Sequence, residues 1–216
     1  MTFPVLVSGT QGAVDFQTSV TVSLAPSNAG NFHVVAVGHD GSTENATMAG
    51  FNQLGYTGAP LTSLAIFYTT ADGTETKVQF SVDGAQAEAI AWRSWVYSAD
   101  GTFDTPILAM VSGTGTQPDP PSLTLSKDAV VIAVGGSRAA SAGNSYTSSP
   151  AGYTNASTVS ALGAAGVSLG WAHTSVSTTE NPGTFQFDKN NDWVTATLGI
   201  TISNETALLL RRQRAI

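Results

Sequence analysis

Apolar residues recur at every second position through much of the chain, the spacing of strands with one buried face. Val20, Val22 and Leu24 share one side of residues 19–24, and Val78, Phe80 and Val82 share one side of residues 76–82. Over residues 192–202 the two faces separate fully. Trp193, Thr195, Thr197, Gly199 and Thr201 fall on one side, while Val194, Ala196, Leu198, Ile200 and Ile202 fall on the other and are expected in the core. Residues 32–37, 64–68, 89–97 and 129–134 are short, more continuously apolar and rich in Val, Ile and aromatics, which predicts central strands rather than helices. Asp40-Gly41, Asp72-Gly73, Asp83-Gly84 and Asp100-Gly101 supply turns between them.

The strand pattern repeats. Residues 21–24 precede 32–38 as residues 122–125 precede 129–135, and Gly55-Tyr56-Thr57 is matched by Gly152-Tyr153-Thr154. Further on, 64–68 matches 169–173, 77–80 matches 184–187 and 89–97 matches 193–201. Six elements in the same order predict an internal duplication with pseudo-repeats at about 18–112 and 118–202, each supplying about five strands. The link at 113–121 contains three prolines, which favour an extended connector. With so few strands per repeat, both are expected to share one core. The predicted fold is therefore all-β: a single jelly-roll-like antiparallel β-sandwich over residues 1–202, with a short tail at 203–216.

Composition narrows the functional classes. Only 11% of the 216 residues are charged, well below the roughly 25% of an average soluble domain, and Thr, Ser, Ala, Gly and Val take their place. Residues 1–203 carry five basic and fourteen acidic side chains, a net −9, which argues against binding a nucleic-acid backbone. The absence of cysteine excludes disulfides and thiolate zinc sites. No run is long enough to span a bilayer as a helix, and residues 1–8 have no signal-peptide pattern.

In this order the segments resemble a family of bacteriophage and prophage structural proteins. The matching residues are 34–37, Gly55-Tyr56-Thr57, 66–71, 78–97 and Thr105-Pro106-Ile107, then 129–135, Gly152-Tyr153-Thr154 and 193–202. The resemblance covers about residues 5–202 and rests on the order of weak motifs. It implies a β-sandwich component of the virion, made in the host cytoplasm, with no cofactor and no catalytic residues. Its implied partners are further copies of itself and other virion proteins. A capsid decoration or cement protein is the favoured role. The alternatives are a tail or fibre component, or a carbohydrate-binding module for host attachment.

The chemistry-bearing residues are few. His33, His39 and His173 are spread over separate strands without metal-ligand spacing. No Gly-rich loop ending in Lys-Ser/Thr is present to cradle phosphates. Asp100 and Asp104 are close in sequence but carry no sign of a catalytic separation. An enzymatic role is not expected. Asp188, Asn190 and Asp192 have the alternate spacing of the first calcium-loop ligands, making them the one weak metal candidate. Trp193 stands where such a loop has Gly, and Gly199 stands where it has its last carboxylate. A hairpin turn is the simpler expectation.

Trp92, Trp95, Trp171 and Trp193 raise the question of a sugar-stacking platform. Trp92 and Trp95 are three apart, so a strand points them to opposite faces, one into the core and the other to a surface or interface. The tail is the other local feature. Leu208, Leu209 and Leu210 are followed by Arg211, Arg212 and Arg214, and residues 204–216 carry a net +2 beside the acidic body. Three consecutive leucines cannot all face a narrow stripe of so short a helix, so these six residues are predicted to dock on a partner.

Overall fold

The computed structural model describes residues 3–41, 46–82, 88–139, 146–162 and 166–203. The strands of the first half are β1 (Val5–Gln17), β2 (Ser19–Ser23), β3 (Phe32–His39), β4 (Ala46–Met48), β5 (Asn52–Ala59), β6 (Thr62–Thr70), β7 (Lys77–Val82) and β8 (Glu88–Ser98). After the short β9 (Thr102–Phe103) follow β10 (Ile107–Gly115), β11 (Ala129–Ala139), β12 (Tyr146–Ser148), β13 (Thr154–Ala161), β14 (Gly166–Val176), β15 (Gln186–Phe187) and β16 (Asn191–Ser203). No described residue is helical. The molecule is an all-β sandwich of antiparallel sheets.

Five strands of the first half form one sheet in the order β1-β8-β3-β6-β5. Five of the second form another in the order β10-β16-β11-β14-β13, with β9 pairing the end of β16. The two orders are the same once strands are matched by their place in each half. In the first half, β2-β7-β4 forms a smaller third sheet. Together β1-β8-β3-β6 and β2-β7-β4 follow the layer order of a jelly roll. In the second half only β12-β15 and the bridge between Leu123 and Glu180 stand in for that outer layer.

Strand register gives the residue-level correspondence. A row across the first sheet runs Gly12, Trp92, Val37, Ala65, Tyr56. The matching row across the second runs Gly113, Trp193, Ser137, Ser168, Ser160. In each, an indole covers a glycine on the neighbouring edge strand, where an added Cβ would sit 2.3 Å from Trp92 or 2.5 Å from Trp193. A second landmark agrees. Gly50 (φ 75°) and Gly152 (φ 80°) occupy the same left-handed turn position, closed by Phe51 N to Met48 O at 3.2 Å and Tyr153 N to Pro150 O at 3.4 Å.

These landmarks correct the phase of the repeat. Matching Phe32 to Ala129 puts an inner-face residue against an outer-face one, whereas the register matches Phe32 to Ile132, both in the central core. Gly55-Tyr56-Thr57 lies within β5, while Gly152-Tyr153-Thr154 spans a turn and the first residue of β13, so the two are not equivalent. The repeating units also begin earlier than residues 18 and 118, at β1 and β10, and contain eight and seven strands rather than five.

The two large sheets pack face to face. Phe32, Leu64, Ile66 and Trp95 of one meet Ile132, Leu169, Trp171 and Leu198 of the other in a single core. Strand β8 packs on β14 and β16 on β6, while β1 lies against β13 and β10 against β5. Exchange of the two halves preserves these neighbours, so the sheets are related by an approximate two-fold. The first half also encloses a core of its own. Val35, Val37, Phe67, Ile90 and Trp92 on its outer face pack against Val20, Val22, Met48, Val78, Phe80 and Val82. The expectation of one shared core thus holds only for the centre of the molecule.

The outer face of β16 is buried too, contrary to its polar pattern. The Pro-rich link crosses it: Thr195 Oγ1 donates to Asp119 O at 3.2 Å, and Thr197 Oγ1 donates to Pro121 O at 2.5 Å. Leu123 and Leu125 then cover Gly199. Residues 122–125 form no strand, and Leu123 makes only the bridge to Glu180. Threonine on this face satisfies carbonyls of the crossing segment as well as filling space, which is why an alternating pattern here does not mean exposure.

Candidate functional site

The most unusual side chain of the central core is Arg93, on the inner face of β8. Its guanidinium carbon lies 5.0 Å from the Trp171 ring centroid and 5.8 Å from that of Trp95, within cation–π range of both. The room for it comes from Gly9, where a Cβ would sit 2.7 Å from an Arg93 terminal nitrogen. Its hydrogen bond is a long one, from Nη1 to Gln11 Oε1 at 3.5 Å. Nε is buried without a partner, and no carboxylate among the described residues lies within ion-pair distance. Burial lowers its pKa, a tendency that the neighbouring Tyr97 opposes.

Farther along β8, at Tyr97, the sheets leave a partly open cavity of about 150 Å³ that Arg93 does not line. Pro4, Leu6, Tyr97, Val130 and Thr154 line it, with the stretch from His173 to Ser175. Tyr97 is fully buried, and its hydroxyl has no hydrogen-bond partner. Burial drives the Tyr97 pKa far above the ordinary phenol range, so this hydroxyl keeps its proton. The opposite wall presents His173, held by the side-chain amide of Asn155. Burial lowers the His173 pKa and the charge of Arg93 lowers it further.

The other candidates separate in space or lie inside the fold. His33 is buried and bonded to Ser27 Oγ at 3.0 Å, and His39 Nδ1 bonds the Asp40 carbonyl at 3.0 Å. Trp92, Trp95 and Trp171 are 7%, 1% and 2% exposed. Trp92 and Trp95 do point to opposite faces, but both faces are covered, one by the third sheet and one by the second half. Neither is the surface residue expected of one of them. Asp104 is a structural clasp, accepting from Lys127 Nζ at 2.5 Å, Thr201 Oγ1 at 2.8 Å and Ser203 Oγ.

Asp188 and Asn190 are exposed in the turn before β16, while Asp192 is already in that strand, opposite Thr114. That places the three in the β15–β16 turn and its continuation. Among the described residues no three His, Cys, Asp or Glu side chains converge as metal ligands. Leu208, Leu209, Leu210, Arg211, Arg212 and Arg214 lie outside the described residues.

One motif is easily passed over in the sequence. Residues 166–170 have Gly-x-Ser-x-Gly spacing around Ser168. A nucleophile elbow needs a sharp strand-to-helix turn that exposes the serine. Ser168 instead sits within β14, fully buried, with its hydroxyl 2.7 Å from that of Ser160. A shallow cleft of about 160 Å³ lies beside Tyr146 and Thr158, but the Tyr146 hydroxyl is committed to the Gly135 carbonyl. No signal in the sequence marked Arg93 and Tyr97, because they interrupt an otherwise apolar strand and become neighbours of His173 only across the sandwich. Comparison with protein-family models, curated proteins and solved structures finds no match for this chain.

Proposed function

We propose that the protein is a non-enzymatic structural component of a bacteriophage-type particle, in first place a capsid decoration or cement protein. The observation that carries this reading is the pair of edge strands. β1 and β10 each end a large sheet, and they expose Val5 (60%), Val7 (51%), Ile107 (37%) and Val111 (38%). A long edge with unpaired backbone groups and apolar side chains favours association with another surface. The low charge content and the resemblance of the motif order to phage structural proteins support the same reading. Partners would be copies of the chain and other virion proteins.

Mass spectrometry of purified particles tests it directly. Recovery at a fixed copy number matching the capsid lattice is expected for a decoration protein, and a few copies per particle for a tail component. Absence from particles overturns the reading. Removal of residues 204–216, or replacement of Leu208, Leu209 and Leu210 by Ser, is expected to lower occupancy while leaving the melting of the isolated chain nearly unchanged. Unfolding of the truncated chain would remove the docking role of the tail.

A further inference from the structure

We infer that β10 is a self-association edge, pairing antiparallel with β10 of a second copy across a two-fold axis at Ala109 and so joining the second sheets of two molecules into one. This rests on the edge association of the proposed function, and gives it a partner and a register. The edges of the two large sheets are β1, β5, β10 and β13. A straight unpaired edge templates another strand, and natural edges are blunted by bulges, charges or proline. Three of the four are interrupted. β1 shifts register between Leu6 and Ser8 and again between Val14 and Gln17. β5 shifts between Gln53 and Gly55, and β13 between Thr154 and Ser157, beside Asn155 at φ 50°. β10 alone among the four runs without a shift, from Ile107 opposite Gly199 to Gly115 opposite Asn191. It holds no charge and no proline.

The strand is also held in place for pairing. Its Leu108 and Met110 face inward onto Gly55 of β5, where a Cβ would sit 2.4 Å from Leu108 and 3.0 Å from Met110. The alternate residues share the outer face with Trp193, which covers Gly113, and Ala109 packs beside Leu123 and Leu125. On that face Ile107 and Val111, two positions either side of Ala109, stay 37% and 38% exposed. A two-fold at Ala109 sets Ile107 of each copy opposite Val111 of the other, so each exposed apolar side chain meets another. A two-fold at Val111 would set Ile107 against Gly115 instead. The match of this strand to its own reverse identifies a second copy as the occupant. Because β10 is uncharged, the pairing places no like charges opposite each other, although residues 1–203 carry a net −9. A single strand pair falls below the roughly 1,200 Å² of standard interfaces, so the dimer is expected to depend on concentration.

Sedimentation velocity of the full chain, from micromolar to millimolar concentration, tests the inference. A reversible monomer–dimer equilibrium is expected. Val111→Lys puts a charge on an exposed edge position, so it is expected to fold and to weaken dimerisation at least about tenfold. Val5→Lys, at the more exposed β1 edge, is expected to leave dimerisation unchanged. The chain has no cysteine, so single introduced cysteines report the register. Ala109→Cys is expected to form an interchain disulfide, since directly opposed Cα atoms lie about 4.5–5.5 Å apart and a disulfide spans about 4.4–6.8 Å. Ile107→Cys is the more exposed site, but the two-fold keeps its two copies four residues out of step, so far less crosslinking is expected. A chain that stays monomeric throughout, a dimer indifferent to Val111→Lys, or crosslinking at 107 in preference to 109 overturns the inference. Monomeric chain that is still recovered in particles overturns this inference alone, whereas a dimer absent from particles overturns the particle reading alone.

Discussion

Trp193 lies flat across Gly113 of the neighbouring edge strand, so close that a Cβ on the glycine would fall 2.5 Å from the indole. No side chain fits there without moving the ring. Gly113→Ala is therefore expected to lower stability by about 1–3 kcal/mol through overpacking. Ser112→Ala, one residue away and exposed, is expected to change little. Urea unfolding of the two variants beside wild type measures the difference. Equal midpoints would show that the indole yields without cost.

Asp104 fastens the end of β16. Burial raises its pKa, but hydrogen bonds from Lys127, Ser203 and Thr201 and the charge of Lys127 outweigh this and hold it below its ordinary 3.8. Asp104→Ala is expected to lose about 1–3 kcal/mol at neutral pH, since three donors lose their acceptor. A depressed carboxylate stabilises the fold above its unfolded pKa, and that contribution is lost as pH falls through the folded value. The gap between variant and wild type should therefore narrow below pH 3.8 in urea titrations.

Acid should weaken the fold through its histidines first. Burial lowers the His33 pKa, with Glu75 pulling partly back, and burial together with Arg93 lowers that of His173. The unfolded chain takes up protons near 6.5, where the folded chain still resists them. Stability present above that pH is expected to fall as pH drops below it. Urea midpoints between about pH 7.5 and about 5.5 report this loss. His173→Thr, which copies the residue at the equivalent place in the first half, should flatten the profile.

Tryptophan fluorescence tests the carbohydrate alternative. With Trp92, Trp95 and Trp171 buried, emission should be blue-shifted and acrylamide should quench most of it slowly. Added oligosaccharide should leave the spectrum unchanged. A sugar-dependent shift would mean that an indole reaches a ligand surface after all.

The central strands were readable because burial there follows composition. Val34, Val37, Ile66 and Ile132 are fully buried, and the core face expected for β16 is the one observed. The edge strands β1 and β10 were not readable. Their Ser, Gly and Thr positions meet solvent or an indole from the adjacent strand, so hydrophobic alternation is weak. The order of the repeat was visible, but its phase was not. Apolar residues occupy both faces of β3 and β11, and a one-residue slip leaves such a pattern looking the same. The glycine–indole rows and the matching Gly50 and Gly152 turns fix it. The candidate site was illegible for a related reason: Arg93 and His173 lie most of one repeat apart in the sequence and belong to opposite sheets.

A dimer of identical subunits around a two-fold must repeat every substitution on both sides of its axis. This chain carries both sides in one polypeptide, so the constraint is lifted. Arg93 can occupy one corner while Val194 keeps the other apolar, and neither change is copied. Each corner of the core and each edge strand can be set independently. Covalent fusion thus gives a symmetric scaffold a front and a back.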